Sequence, residues 1–242
     1  MDLNTRKSAI LTYTRSNAPI TFNYQFDGDD LSRVNTFKDL GVMMNSTLSP
    51  WDHVVHVCNK ANSLLGFLCR TSGDFRSPFT LATLFKSIVR PVLEYSSVVW
   101  CPYQLGHIAL LERLQIRLLR LIGLRLGYQY LEKPVDALRP SLGLALLSTR
   151  RKIADVMLLH KIVNGAIDCP DLLTLLEFRA PRATRSQDMF CRRASPSLYI
   201  QHSAIPRLMR EGNEFCRNVD FFGSSYQPFR RCLLKMMCSA NP

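Results

Sequence analysis

The acidic stretch Phe26-Asp27-Gly28-Asp29-Asp30 is the first place where residue types and spacing could do chemistry. Paired aspartates on a turn between two strands can hold two magnesium ions for nucleotidyl transfer. Such a site needs a third carboxylate from a neighbouring strand, and the only acidic residue before Asp27 is Asp2. Asp-Gly is also a common pair in tight hairpin turns. We therefore predict a hairpin turn with solvated acids and no metal site.

A second cluster of reactive side chains consists of His53, His56 and Cys58. On a helix, positions 53 and 56 share a face, whereas position 58 points elsewhere. A structural zinc site takes four ligands, usually as two close pairs, and no second pair accompanies this one. We predict a partly exposed histidine pair beside a core cysteine rather than a metal centre.

Arginines give the strongest positive signal. A predicted amphipathic helix over 104–126 carries leucines on one face and Arg113, Arg117 and Arg120 on the other, at i, i+4 and i+7. Such a row can track a phosphate backbone, although it can also be a solvated face. A second basic segment follows further along the chain, with arginines at Arg179, Arg182, Arg185, Arg192 and Arg193. The two clusters together predict contact with nucleic acid.

Composition supports a folded chain with a polyanionic partner. The 242 residues are 47 % hydrophobic, and 31 Lys and Arg against 19 Asp and Glu give a net charge of +12. The eight cysteines form no CxxC pair, and the first ten residues contain no apolar signal segment. No apolar run is long enough to span a membrane. We expect an intracellular location, in the nucleus or the cytoplasm or both, with no membrane partner.

Hydrophobic periodicity predicts an α+β fold. Three β-rich runs, over 8–14, 20–26 and Arg33–Met44, are expected to form a small antiparallel meander. Helical patterns follow from Pro50 onward, with a kink at Pro91 and a C-cap at Asn164-Gly165. Helices are predicted over 50–70, 77–100, 104–126, 142–163, 170–178, 206–219 and 228–238. The corresponding regions are 1–48 (strands), 49–126 and 127–178 (helical), and 179–242 (basic extended segment and terminal helices).

Several short motifs occur in a fixed order along almost the whole chain. They are Leu3-Asn4-Thr5-Arg6-Lys7, FKDLGV at 37–42, CNKA at 58–61 with LGF at 65–67, RPVLEYSSVVW at 90–100, RRK at 150–152, NG at 164–165 and DCP at 168–170. This set resembles the region just downstream of the catalytic core in reverse transcriptases of non-LTR retrotransposons, jockey-like elements above all. The LGV and RPVLEYSSVVW segments together carry most of that resemblance.

The resemblance implies the end of a palm, a helical thumb and a C-terminal helical tail. Leu40, Gly41 and Val42 would form the strand that grips the primer, and Lys7 could assist catalysis by protonating the leaving group. The intact family enzyme uses Mg²⁺, but its carboxylate turn would lie before Met1, so no cofactor is expected for this chain. The expected partners are template RNA, primer DNA and the upstream palm and fingers.

Two other interpretations stay open at this point. The chain could be a non-enzymatic helical interaction or nucleic-acid-binding module derived from a retroelement. It could also be a decayed remnant that folds poorly, because its first strand lacks a partner sheet. Under all three interpretations, we expect this chain alone to be inactive as a polymerase.

Overall fold

The computed structural model describes residues 8–26, 28–75, 77–129, 134–180, 188–191, 197–215, 219 and 221–239. Of residues 237–239 it describes the backbone alone. The chain divides into two compact units. Unit 1 comprises Met1–Ser96 and Gln104–Lys133, and unit 2 comprises Ser97–Tyr103 and Pro134–Pro242. Short strands precede a mostly helical remainder, which confirms the predicted α+β class.

The strands of unit 1 are short and, within the described residues, form separate two-stranded ladders. They are β1 (Ile10–Leu11), β2 (Gln25–Phe26), β3 (Asp29–Asp30), β4 (Arg33–Val34), β5 (Thr36–Asp39) and β6 (Val42–Asn45). Strand β2 pairs antiparallel with β3 and β5 with β6, whereas β1 pairs parallel with β4. The strands are thus shorter than predicted, and the parallel ladder departs from a simple meander.

The run Arg33–Met44 is not one strand, because a hairpin turn interrupts it. Leu40 and Gly41 connect β5 to β6 with backbone φ angles of +44° and +89°. Two successive residues at positive φ are the geometry of the two-residue hairpin loop that matches strand twist. The LGV motif is therefore a hairpin tip followed by the first residue of β6, which corrects the expectation of a continuous strand.

Helix α1 (Trp51–Thr71) begins where the sequence predicts. The Ser49 hydroxyl accepts a hydrogen bond from the Trp51 amide at 3.3 Å, and Asp52 lies in the first turn, where the helix dipole favours an anion. One face of α1 is buried by the side chains of His53, Val54, Val57, Ala61, Leu65 and Leu68. This face packs against β6 and against the later helices of unit 1.

The predicted kink at Pro91 takes the form of a wider helical turn. Helix α2 (Pro78–Leu84) passes into a π-helical turn (Phe85–Val89) and then into α3 (Arg90–Glu94). Because proline donates no amide hydrogen bond and its ring crowds the preceding turn, the wider turn accommodates it. The helix does not continue to Trp100, since Ser96 at φ +50° interrupts it.

Helix α5 (Leu105–Arg125) completes unit 1 by packing along α1. Its buried face consists of Leu111, Leu114, Gln115, Leu118, Leu119, Ile122 and Gly123. The regular leucine spacing explains why a single helix forms here, since one continuous apolar face is buried against a neighbouring helix.

Unit 2 is built around α7. Its helices are α4 (Ser97–Trp100), α6 (Val135–Ser141), α7 (Leu147–Val163), α8 (Pro170–Thr174), α9 (Leu198–Gln201), α10 (Ala204–Phe215) and α11 (Tyr226–Ser239). Helix α7 contacts α4, α8, α10 and α11. It begins later than predicted, because Leu142 and Leu144 are buried in the preceding loop, and α8 ends before Phe178. The predicted C-cap is confirmed, with Gly165 at φ +64°.

Close packing fixes the core of unit 2. A Cβ at Gly212 would lie 2.5 Å from Cδ2 of Leu159, so a larger residue would force the Leu159 side chain between α10 and α7 to shift. The Asn213 side chain accepts from the amide and donates to the carbonyl of Phe190, each at 2.9 Å. The unit therefore has a specific, well-packed core.

Candidate nucleic-acid interface

The arginine stripe, defined as Arg113, Arg117 and Arg120, lies on the exposed face of α5. The opposite face carries Leu111 and Leu118, which are fully buried. Because the leucines fix how α5 is rotated against the core, all three arginines lie on the exposed side of the helix. The predicted two-sided character of this helix is thus confirmed, whereas its contact with nucleic acid stays a prediction.

A polar recess lies beside the stripe, where α5 faces α1. It has a volume of about 360 Å³ and is lined by Asn62, Ser63, Leu65, Gly66, Cys69, Arg70 and Arg117. The Arg117 guanidinium donates a hydrogen bond to the side-chain oxygen of Asn62, which orients it along the recess. Position 66 has no side chain, and a Cβ there would lie 3.4 Å from Nη1 of Arg70. A methyl group at this position would therefore lie in ordinary contact with the Arg70 side chain.

The recess combines two guanidinium groups, an amide and a hydroxyl, a set of donors that suits a phosphate group. Asn62, Ser63 and Arg70 were not among the residues predicted from sequence. The available signal was their position on the polar face of α1, but only the packing of α1 against α5 places them beside Arg117.

Arg125 at the end of α5 has a different role from the stripe. Its guanidinium donates to the carbonyls of Ser72 at 2.5 Å, Cys69 at 3.3 Å and Phe75 at 3.2 Å. It also donates to the Ser72 hydroxyl at 3.1 Å. These acceptors lie at the C-terminal end of α1, where unpaired carbonyls and the helix dipole favour a cation. Arg125 therefore fixes α5 against α1 and maintains the geometry of the recess.

The LGV residues divide into exposed and buried positions. The Leu40 side chain is 85 % exposed at the hairpin tip and Gly41 is exposed beside it, whereas Val42 is only 6 % exposed and belongs to the core. A ligand can therefore reach the tip, but it cannot reach the Val42 side chain.

The second basic cluster is largely outside the described residues. Arg179 is exposed in unit 2, and its amide donates to the Met189 carbonyl at 2.8 Å. Arg182, Arg185, Arg192 and Arg193 lie outside the described part of the chain, and so does Lys7. The structure therefore gives geometry for the α5 stripe and for Arg179 alone among the predicted arginines.

The acidic turn forms a hairpin, as predicted. Phe26 pairs with Asp29 across the turn, and Gly28 has φ +85°. Asp29 and Asp30 are exposed and adjacent on β3, so their side chains project to opposite faces, and Asp30 accepts a hydrogen bond from Gln25 at 2.8 Å. In the described residues, no group of three or more His, Cys, Asp or Glu could hold a metal ion.

His53 is buried rather than partly exposed, which corrects the expectation for the histidine pair. Its Nδ1 accepts a hydrogen bond from the Met43 amide at 3.1 Å, so the ring links β6 to α1. Burial lowers the pKa of His53 to about 4, and the positive charges of His56 and Lys38 act in the same direction. His53 is thus a neutral structural residue, whereas His56 is exposed.

Comparison of the chain with protein-family models, with curated proteins and with solved structures gives no match in any of the three. Across the described ranges, no helix has both the length and the apolar composition needed to cross a bilayer.

Proposed function

We propose that this chain binds the template–primer duplex of a reverse transcriptase of the non-LTR retrotransposon type, as the thumb-containing C-terminal part of that enzyme. In this proposal the arginine stripe contacts phosphates of the duplex, and the recess between α1 and α5 receives one of them. Phosphate contacts position a duplex without reading its sequence, as copying of any template sequence requires.

One observation carries the proposal: the three stripe arginines share an exposed face directly beside a polar recess that contains a fourth, Arg70. The recess thus adds the donors of Asn62, Ser63 and Arg70 to the exposed stripe. The net charge of +12 and the order of the sequence motifs support the same conclusion.

A second part of the proposal is that this chain alone does not incorporate nucleotides. A two-metal mechanism needs a third carboxylate from an upstream strand beside Asp29 and Asp30, and the only acidic residue before Asp27 in this sequence is Asp2. A primer-extension assay with Mg²⁺ or Mn²⁺ should therefore give no product. Metal-dependent extension by the purified chain would contradict this part of the proposal while leaving duplex binding intact.

The binding test reverses the charge of the stripe. Arg113→Glu, Arg117→Glu and Arg120→Glu together should weaken binding to a labelled RNA–DNA duplex by at least about tenfold at ~0.1 M salt. The slope of log affinity against log salt should shrink by about 2 to 3, since each lost phosphate contact removes about 0.9. Fluorescence anisotropy at several salt concentrations measures both quantities.

The matched control places the same charge change elsewhere. Arg230→Glu, Arg231→Glu and Lys235→Glu alter three exposed cations on α11 of unit 2. This variant should retain the affinity of the wild type within about threefold, because it removes no phosphate contact. Equal losses in both variants would show that net charge alone drives binding. Unchanged binding in the stripe variant, with the fold retained, would favour a helical protein-interaction module instead.

A further inference from the structure

A large aromatic side chain lies in solvent beside the polar recess of unit 1. Phe67 on α1 is 52 % exposed. It lies outside the buried face of this helix, to which its neighbours Leu65 and Leu68 belong. The buried contacts of α1 therefore do not depend on this ring.

Helix geometry places Phe67 next to residues that line the recess. Residues three or four positions apart on a helix are neighbours, with about 5–6 Å between their Cβ atoms. Phe67 is four residues after Ser63 and three residues before Arg70, and both of these residues line the recess. The ring therefore lies at the rim of the recess, beside the Arg70 side chain.

The recess and the ring together match the two ends of a nucleotide. Arg70 and Arg117 supply guanidinium groups for a phosphate, and Phe67 supplies a ring face on which a base can stack. Only an unpaired base can reach such a ring, because the faces of a paired base are covered by its neighbours in the duplex. Cationic groups beside exposed aromatic rings are also the combination by which proteins bind single strands.

We propose that the recess and Phe67 together bind an unpaired nucleotide of the template strand, with its phosphate at Arg70 and Arg117 and its base stacked on Phe67. This inference rests on the proposed template–primer binding and names the part of the template that the recess takes. Arg117 belongs to both the arginine stripe and the recess, so the two sites adjoin. The phosphate in the recess is then the one that joins the last paired nucleotide to the first unpaired one.

The experiment uses three labelled ligands that share one RNA–DNA duplex. The first is blunt, the second has a single-stranded RNA extension of the template, and the third has an extension of the same length without bases. The wild-type chain should bind the second ligand at least about fivefold more tightly than the third, which is the lower end of what one stacked base contributes. Because these two ligands carry the same number of phosphates, the difference reports the base alone. Fluorescence anisotropy measures all three affinities.

Substitutions at position 67 test whether the ring provides this difference. Phe67→Ala should bind the two extended ligands equally and keep the wild-type affinity for the blunt duplex, since the ring and the base act on one contact. Phe67→Trp keeps an aromatic face and should retain the preference for bases. The matched control is Phe79→Ala, which removes another exposed ring of unit 1, on α2, and should behave as the wild type.

The outcomes separate this site from duplex binding by the stripe. Equal wild-type affinity for both extensions, or a preference for bases that persists in Phe67→Ala, would overturn the role of Phe67 while duplex binding stands. A wild-type chain that binds none of the three ligands would overturn the proposed function as well. Binding of the extension with bases, without binding of the blunt duplex, would support this site and contradict duplex contact by the stripe.

Discussion

The α5 stripe of unit 1 and the core of unit 2 place arginines in contrasting environments. Unit 1 keeps the arginine stripe in solvent, opposite a leucine face, whereas unit 2 buries Arg151 and Arg207, which are only 2 % and 6 % exposed. Arg207 donates to Asp155 at 2.8 Å and to the carbonyls of Val98 and His202. The number of arginines alone therefore does not identify a nucleic-acid surface, because part of the basic charge of this chain is used inside it.

The buried charges of unit 2 follow a regular pattern. Arg151 and Asp155 are four residues apart on α7, and Arg207 and Glu211 are four residues apart on α10, so each helix presents one cation and one anion. The partner of Arg207 is Asp155 on α7, and Glu211 on α10 pairs with Lys152 on α7 at 3.4 Å. Burial raises the pKa of Asp155, whereas the charge of Arg207 opposes that rise. The network fixes how α7 and α10 pack, because an unpaired charge inside would be costly.

The largest expected effect comes from breaking this network. Asp155→Ala leaves Arg207 buried without its carboxylate and should lower the free energy of unfolding by about 3–5 kcal/mol. Urea unfolding, together with hydrogen exchange on α7 and α10, measures the loss. Asp136→Ala is the matched control, since it removes an exposed carboxylate that lies 3.5 Å from Arg139, and it should cost less than about 0.5 kcal/mol. Similar small losses for both would show that the buried arginines need no partner.

Acid should lower the stability of unit 1 through protonation of His53. The native pKa of His53 is about 4, below its usual 6.5, so the unfolded chain binds a proton between these values that the native chain does not. The free energy of unfolding should therefore fall by roughly 2–3 kcal/mol as pH drops from 6.5 to 4, and this contribution should level off below 4. Hydrogen exchange of α1 amides across this pH range reports it.

The control for the acid effect replaces each of the two histidines separately with asparagine. His53→Asn keeps an acceptor for the Met43 amide without a titrating ring, so the decrease between pH 6.5 and 4 should become shallow. His56→Asn changes an exposed ring and should leave most of the decrease in place. An unchanged pH profile in His53→Asn would assign the acid sensitivity to other groups.

Sequence patterns predicted the features that depend on neighbouring residues. The leucine spacing of α5 predicted its buried face and hence the exposure of Arg113, Arg117 and Arg120. The Asp-Gly pair predicted the first hairpin turn, since its conformational preference is local. Local signals were misleading at Leu40-Gly41, because the β-rich composition of Arg33–Met44 predicted one strand where the chain forms a hairpin turn.

Features that depend on distant residues could not be predicted in this way. Arg207 and Asp155 are 52 residues apart, and the i, i+4 charge pairs on their helices do not say which helices pair. Arg117 and Asn62, which are joined by a hydrogen bond at the recess, are 55 residues apart in sequence. Such contacts depend on which helix faces pack together, and one sequence contains little information on that choice.

Arg125 is an arginine of α5 that unit 1 uses internally, in hydrogen bonds to the end of α1. Arg125→Ala removes the hydrogen bonds to the end of α1 and should lower the free energy of unfolding by about 1–3 kcal/mol. Arg125→Lys should recover only part of this loss, since one ammonium group cannot reach the same carbonyls as a planar guanidinium. Urea unfolding of the two variants beside the wild type measures the difference. Full recovery with lysine would reduce the role of Arg125 to its charge at the helix terminus.

The smallest expected effect on stability belongs to the stripe itself. Arg120→Ala should change the free energy of unfolding by less than about 0.5 kcal/mol, because the exposed guanidinium contributes little to the core. The salt slope of duplex binding should nevertheless fall by about 0.9, as expected for one lost phosphate contact. Arg230→Ala on α11 should change neither quantity. If Arg120→Ala instead destabilised the chain by more than about 1 kcal/mol with an unchanged salt slope, the stripe would be structural, and the contrast between the two units would disappear.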